Sequence, residues 1–166
     1  MGRYFYSKKS TAEDYLSIHA AKLNKWGFSS GYRCGSLTWS RGGEQTASIG
    51  ISVSMQTTDY GVMKLNYTHT ERFNNEKTDL NYTVDLVSTP CNYGGVRWWF
   101  LCPLSRNGIS CNRRVGVLYL GKYAGCRHCY NLTYTSCQDS HKFDGLSKMM
   151  GLPPQALSSM LNHIGK

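Results

Sequence analysis

Proline is scarce in this chain, 4 in 166 residues, and carboxylates are few, with 10 Asp and Glu against 19 Lys and Arg. No apolar run reaches the 18 or so residues that a membrane-spanning helix needs. Met1 to Ser10 carries Arg3, Lys8 and Lys9 but no apolar core, so no secretory leader is expected and the chain is assigned to a reducing cytosol. Internal repeats, low-complexity tracts and Pro/Ser-rich linkers are absent as well. What is present is apolar: 40% of residues are hydrophobic and 13% aromatic, against 17% charged. That material builds a core and excludes a collagen-like fibre, a coiled coil and a disordered tail. The length suits one domain with a small appendage.

The excess of positive charge is uneven. Residues 1–90 hold ten basic and eight acidic side chains, a net of +2. Residues 91–166 hold nine basic side chains against Asp139 and Asp144, a net of +7. A basic half of this kind suits phosphate or an acidic protein surface as partner.

The seven cysteines, Cys34, Cys91, Cys102, Cys111, Cys126, Cys129 and Cys137, are an odd number, which argues against a disulfide framework in a cytosolic chain. Four of them fall in the order Cys102-x8-Cys111-x14-Cys126-x2-Cys129. The second pair is a tight knuckle. The first is looser, with Ser105 to Ser110 and its Asn107-Gly108 read as an insertion that widens a turn. Two cysteine pairs carried on hairpins predict a zinc ribbon with a closed, four-thiolate structural Zn2+ site. The four thiolates and the ion together add −2, which lowers the C-terminal half to +5. Cys91 and Cys137 flank the set and remain alternatives to Cys102 or Cys111. Cys34 is read as a core or free thiol, and His128 as an exposed side chain within the knuckle.

Ser10-Thr11-Ala12-Glu13 has the form of a capping box, and Tyr15, Leu16, Ala20, Leu23 and Trp26 follow at helical spacing with Gly27 as a stop. An amphipathic helix is therefore expected over about residues 11–26. After Gly35 the period changes to two. Ala47, Ile49, Ile51, Val53 and Met55 alternate with polar or small residues, and so do Met63, Leu65, Tyr67 and His69, then Leu80, Tyr82, Val84 and Leu86. Arg41-Gly42-Gly43-Glu44, Asp59-Tyr60-Gly61 and Asn74 to Lys77 supply the turns. Val96 to Leu101 forms a further strand that runs into Cys102. The expected class is α+β: an N-terminal helix, an antiparallel β-meander sheet fused to the four-cysteine ribbon, and short C-terminal helices over 142–150 and 155–164. The expected division is 1–95 for helix plus sheet, 96–137 for the ribbon continuous with it, and 138–166 for the helical tail.

Several of these segments resemble a known family when taken in order. They are Leu37-Thr38-Trp39-Ser40-Arg41-Gly42-Gly43-Glu44, Arg97-Trp98-Trp99-Phe100-Leu101-Cys102-Pro103, Cys111-Asn112-Arg113-Arg114-Val115 and Cys126-Arg127-His128-Cys129-Tyr130. Together they look like a family of small, uncharacterised bacterial and phage proteins with a C-terminal zinc ribbon, over roughly residues 11–137. The family's first pair is usually Cys-Pro-x-Cys followed by Gly-Arg-Arg-Val; here extra residues separate Cys102-Pro103 from Cys111. The resemblance implies the fold and the metal. It implies no activity.

Catalysis is not expected. The close acid–histidine pair, Asp139 and His141, sits in a polar stretch, and no phosphate loop, nucleophile elbow or second metal cluster is visible. Arg97, Arg113, Arg114, Arg127 and Lys122 cluster around the zinc hairpins among aromatics, Trp99 above all. Arginines grip phosphates and exposed rings stack on bases, a mixture that suits single strands or distorted duplex, so a nucleic acid (DNA or RNA) or a nucleoprotein complex is the expected partner. The second reading is a phage- or plasmid-encoded inhibitor of a host protein complex, either a CRISPR- or restriction-type defence or transcription. Neither reading involves a membrane or a small-molecule substrate. Both place the chain in a bacterial cytoplasm, or in that of the host for a phage protein.

Overall fold

The computed structural model describes residues 9–28, 31–71, 74–139 and 148–149. It distinguishes two compact units, Tyr15–Tyr130 and the chain ends Met1–Asp14 with Asn131–Lys166.

Strands dominate the larger unit. β1 (Leu16–His19) precedes a short helix, α1 (Ala20–Lys25), and four long strands follow: β2 (Tyr32–Arg41), β3 (Glu44–Met55), β4 (Tyr60–Thr70) and β5 (Lys77–Pro90). β6 (Val96–Leu101) leads to the short strands β7 (Ser105–Arg106), β8 (Ile109–Ser110), β9 (Arg114–Val115), β10 (Val117–Leu120) and β11 (Ala124–Gly125). A curled antiparallel sheet has the order β2-β3-β4-β5-β6-β9, a second has the order β1-β10-β11, and β7 pairs with β8.

Period-two alternation sets the register. Ile51 lies opposite Leu65, Val53 opposite Met63, Met63 opposite Val84 and Leu86 opposite Phe100, all on one face. The other face carries Ser48, Ser52, Ser54, Lys64 and Asn66. A slip of one residue would bury Lys64 and expose Leu65, which fixes the pairing. Gly42 and Gly43, at φ 63° and 91°, make the two-residue loop between β2 and β3, where both central positions need the left-handed region. Ile18, Ala20, Leu23, Leu118 and Ala124 complete one core with the apolar sheet face.

The expected α+β class and its N-terminal helix are overturned: the chain is mostly β. Over residues 11–26 stand a 3-10 turn (Ala12–Asp14), β1 and the six-residue α1. Ile18 explains the difference. It lies about 200° around a helix from Leu16, on the side that a helical reading assigns to solvent. As a strand residue opposite Leu118 it is 1% exposed. The capping exchange also shifts by one residue. The Thr11 amide and hydroxyl donate to Asp14 Oδ2 at 3.1 and 2.6 Å, and they cap a single turn. Gly27, at φ 71°, does end α1, with the Phe28 amide donating to the Leu23 carbonyl at 3.0 Å.

In the smaller unit Thr11 bridges Thr133 in parallel, and the Ala12 amide donates to the Thr133 carbonyl at 2.8 Å. Helix α2 (Thr135–Asp139) begins where the Thr135 amide and hydroxyl donate to Glu13 Oε2 at 3.2 and 3.1 Å. The helices expected over 142–150 and 155–164 lie outside the described residues, apart from the helical pair Lys148 and Met149. Among the described residues no helix is long and apolar enough to cross a membrane.

Candidate metal centre

Each cysteine pair is placed by a strand that ends on it. Phe100 is fully buried at the end of β6, and the ladder continues past the last pair of β6 and β9: the Cys102 amide donates to the Arg113 carbonyl at 3.0 Å and the Asn112 amide to the Cys102 carbonyl at 3.3 Å. Asn112 takes φ 45° to turn the chain after Cys111. The second pair follows β11, which returns antiparallel to β10 with Leu120 opposite Ala124. The Tyr130 amide then closes the knuckle on the Cys126 carbonyl at 3.2 Å.

The sulfurs of Cys102, Cys111, Cys126 and Cys129 all lie within 4.8 Å of one another, a group able to hold a metal ion. Cys102 Sγ is 3.8 Å from Cys129 Sγ, and Cys111 Sγ is 3.9 Å from Cys126 Sγ. Four sulfurs at about 2.3 Å from a tetrahedral ion stand about 3.8 Å apart, whereas a disulfide needs about 2.05 Å. The donor set therefore fits a tetrahedral ion. Two sulfurs also accept backbone amides, Cys102 Sγ from Cys126 at 3.3 Å and Cys126 Sγ from Cys129 at 3.4 Å, as thiolates do in such knuckles. Burial pushes the Cys102 thiol up to about 11 and the Cys129 thiol upward as well. At Cys111 burial also acts upward, but the Arg113 amide and the neighbouring thiols outweigh it and the net shift is down. Cys34, Cys91 and Cys137 are exposed and stand outside the group, and His128 is exposed.

Close packing makes the approach to Cys126 specific. A Cβ on Gly125 would collide with Leu104 Cδ1 and stand 2.8 Å from Tyr130 Cε2; one on Gly121 would stand 2.6 Å from the Tyr130 hydroxyl. Gly125→Ala is expected to cost roughly 1–3 kcal/mol by overpacking and to weaken metal retention, checked by thermal unfolding and chelator competition.

A polar relay fastens the loop before Cys126 to the large sheet. The Ala124 amide donates to the Tyr82 hydroxyl at 2.6 Å, that hydroxyl lies 3.0 Å from the Tyr67 hydroxyl, and Tyr67 donates to the Lys122 carbonyl at 2.7 Å. Burial holds both phenols above their ordinary value of 10.0. The unfolded chain therefore loses these protons first as pH rises. Their contribution is complete below about pH 10 and declines above it, so thermal stability is expected to fall progressively as pH rises from about 10 upward. The fall should be shallower in Tyr67→Phe/Tyr82→Phe, whose thermal midpoint is lower at neutral pH because the buried Ala124 amide loses its acceptor, at about 1–3 kcal/mol.

No protein-family model, curated protein or solved structure matches this chain. The resemblance to the zinc-ribbon family rests on the motif residues themselves.

Of the other candidate residues, Arg113 and Arg114 are exposed and follow Cys111 after the turn at Asn112, with Arg114 opposite Leu101. Arg127 is half-buried inside the second knuckle. Lys122 is exposed but committed, with Nζ 3.1 Å from Glu71 Oε1. Arg97 and Trp99 stand apart, toward the start of β6 and up to about 16 Å along it from Cys102. The Arg97 guanidinium lies 5.6 Å over the Trp99 ring, whose indole N–H donates to Thr89 Oγ1 at 2.8 Å. Tyr67 and Tyr82 escaped the sequence reading as site residues, because the relay joins positions far apart in the chain and inward strand positions carry no sign of it.

Proposed function

We propose that the chain is a non-catalytic zinc-ribbon protein, of the kind it resembles, that binds nucleic acid or a nucleoprotein complex. Cys102, Cys111, Cys126 and Cys129 hold one Zn2+; four thiolates in a closed set suit this ion and leave no coordination position for water, so its role is structural.

One observation carries the partner. From residue 86 to residue 138 the chain has Arg97, Arg106, Arg113, Arg114, Lys122 and Arg127 and not one Asp or Glu. With the zinc and its thiolates counted, this stretch keeps a net charge of +4. Arg113 and Arg114 are exposed beside a metal-braced turn, and Arg127 lies within the other knuckle. Fixed guanidinium groups on a rigid scaffold, without carboxylates of their own stretch to neutralise them, favour a polyanion.

The test is affinity capture of the tagged full chain from bacterial lysate, split into nuclease-treated and untreated halves. Nucleic acid that co-purifies from the untreated half, with protein partners lost after treatment, supports the reading. A stoichiometric protein complex that survives nuclease, with no nucleic acid bound, replaces it with protein inhibition.

A further inference from the structure

The loop between Cys102 and Cys111 is more than slack. The Cys111 amide donates to the Leu104 carbonyl at 2.9 Å, so the first knuckle closes at Leu104 and Cys111. Ser105–Ser110 is therefore a clean insertion, and the knuckle without it would read Cys-Pro-Leu-Cys, the spacing of Cys126-Arg127-His128-Cys129. The insertion is a regular hairpin: Ser105 pairs with Ser110 and Arg106 with Ile109, across a two-residue turn with Asn107 at φ 53° and Gly108 at φ 78°. All six residues are exposed, Ile109 by 75%. Arg106 has no polar partner among the described residues. The closure of the metal group needs none of this, and a large aliphatic side chain held in water beside a bare guanidinium is a poor use of a rigid turn unless something covers it.

Resting on the nucleic-acid reading above, we infer that this hairpin enters the major groove of duplex DNA. Arg106 and Asn107 reach base edges there, and Ile109 packs on a thymine methyl group. Arg113 and Arg114, at the hairpin's root, hold the flanking phosphates. Dimensions select the groove. Three residues out and three back project about 10 Å, against a major groove about 8.5 Å deep and 12 Å wide. The minor groove, about 6 Å wide, is too narrow for a two-stranded ribbon, and the major groove of double-stranded RNA is too narrow to read. Arginine and asparagine suit the acceptor pattern of guanine and the mixed pattern of adenine, so the tip carries sequence preference while its root carries affinity.

The probe is a pool of duplex DNA with about 20 random base pairs, offered to the zinc-loaded full chain, with double-stranded RNA and single strands of matched length for comparison. The wild type is expected to prefer duplex DNA and to enrich a short consensus. Deletion of Ser105–Ser110 is expected to keep one zinc per chain and the β-sheet circular dichroism, and to enrich no consensus. Arg106→Ser/Ile109→Ser, which changes two exposed side chains and serves should the deletion fail to fold, is expected to lose about tenfold or more on the selected site and little on random duplex. The inference is overturned by a consensus that survives either variant, by a wild type that enriches none, or by a preference for single strands or double-stranded RNA. In each of those cases nucleic-acid binding itself stands. Failure to bind any form of nucleic acid removes both.

Discussion

Cys126→Ser is expected to abolish stoichiometric zinc and to lower the unfolding midpoint by on the order of 10 °C or more. Cys126 is fully buried, its sulfur stands 3.9 Å from Cys111 Sγ, and it accepts the Cys129 amide. A serine hydroxyl at that position is a poor ligand, and the three remaining thiols are left crowded and partly buried. The apparent binding free energy of a structural zinc is roughly 10–16 kcal/mol, comparable with the whole stability of a domain. Metal loss therefore does more than loosen a loop. Cys102 continues the strand that carries Phe100, and Arg113 continues the strand that carries Val115, so a ribbon that opens removes an edge from the large sheet. Cys34→Ser and Cys91→Ser, at exposed sites outside the group, are the controls. Zinc-to-protein ratio and thermal circular dichroism separate the cases. Equal zinc loss in the controls would show that the ligand set is wrong.

The second large effect is electrostatic. Arg113→Glu/Arg114→Glu/Arg127→Glu, with one zinc per chain retained, is expected to weaken nucleic-acid binding by at least about a hundredfold in moderate salt. Each phosphate contact releases condensed counterions and adds about 0.9 to the slope of log affinity against log salt, so the three together account for about 2.7. The affinity loss and the flattened slope must appear together, because a generally damaged surface loses affinity without that signature. Lys122→Gln is expected to change the slope less, since Glu71 already holds that ammonium. Unchanged affinity in the triple variant would remove the ribbon cations from the interface.

What the sequence discloses depends on how local the cause is. The four-cysteine group was legible because cysteine is rare and the second knuckle's spacing is a local constraint. The inward set of β3, Ile49, Ile51 and Val53, was legible because alternation reports directly which face is buried. The insertion at Ser105–Ser110 was visible as excess length, and its Asn107-Gly108 pair marked the turn. The N-terminal segment failed for the opposite reason. Tyr15, Leu16, Ala20, Leu23 and Trp26 do recur at helical spacing, but the partner that decides the matter is Leu118, a hundred residues away, which draws Ile18 into a strand. Pairing of that kind overrides a weak local preference. The tyrosine relay was hidden in the same way: Tyr67 and Tyr82 look like ordinary inward strand residues until the loop at Lys122 to Ala124 is folded against them.

The most direct test of the account is a fluorescence-anisotropy titration of labelled random-sequence nucleic acid with the zinc-loaded full chain, repeated from about 50 to 200 mM salt. Binding that weakens linearly on the log–log plot, with a slope that the triple arginine variant flattens, is the predicted result. Absence of binding at low salt, or binding indifferent to salt, would contradict it.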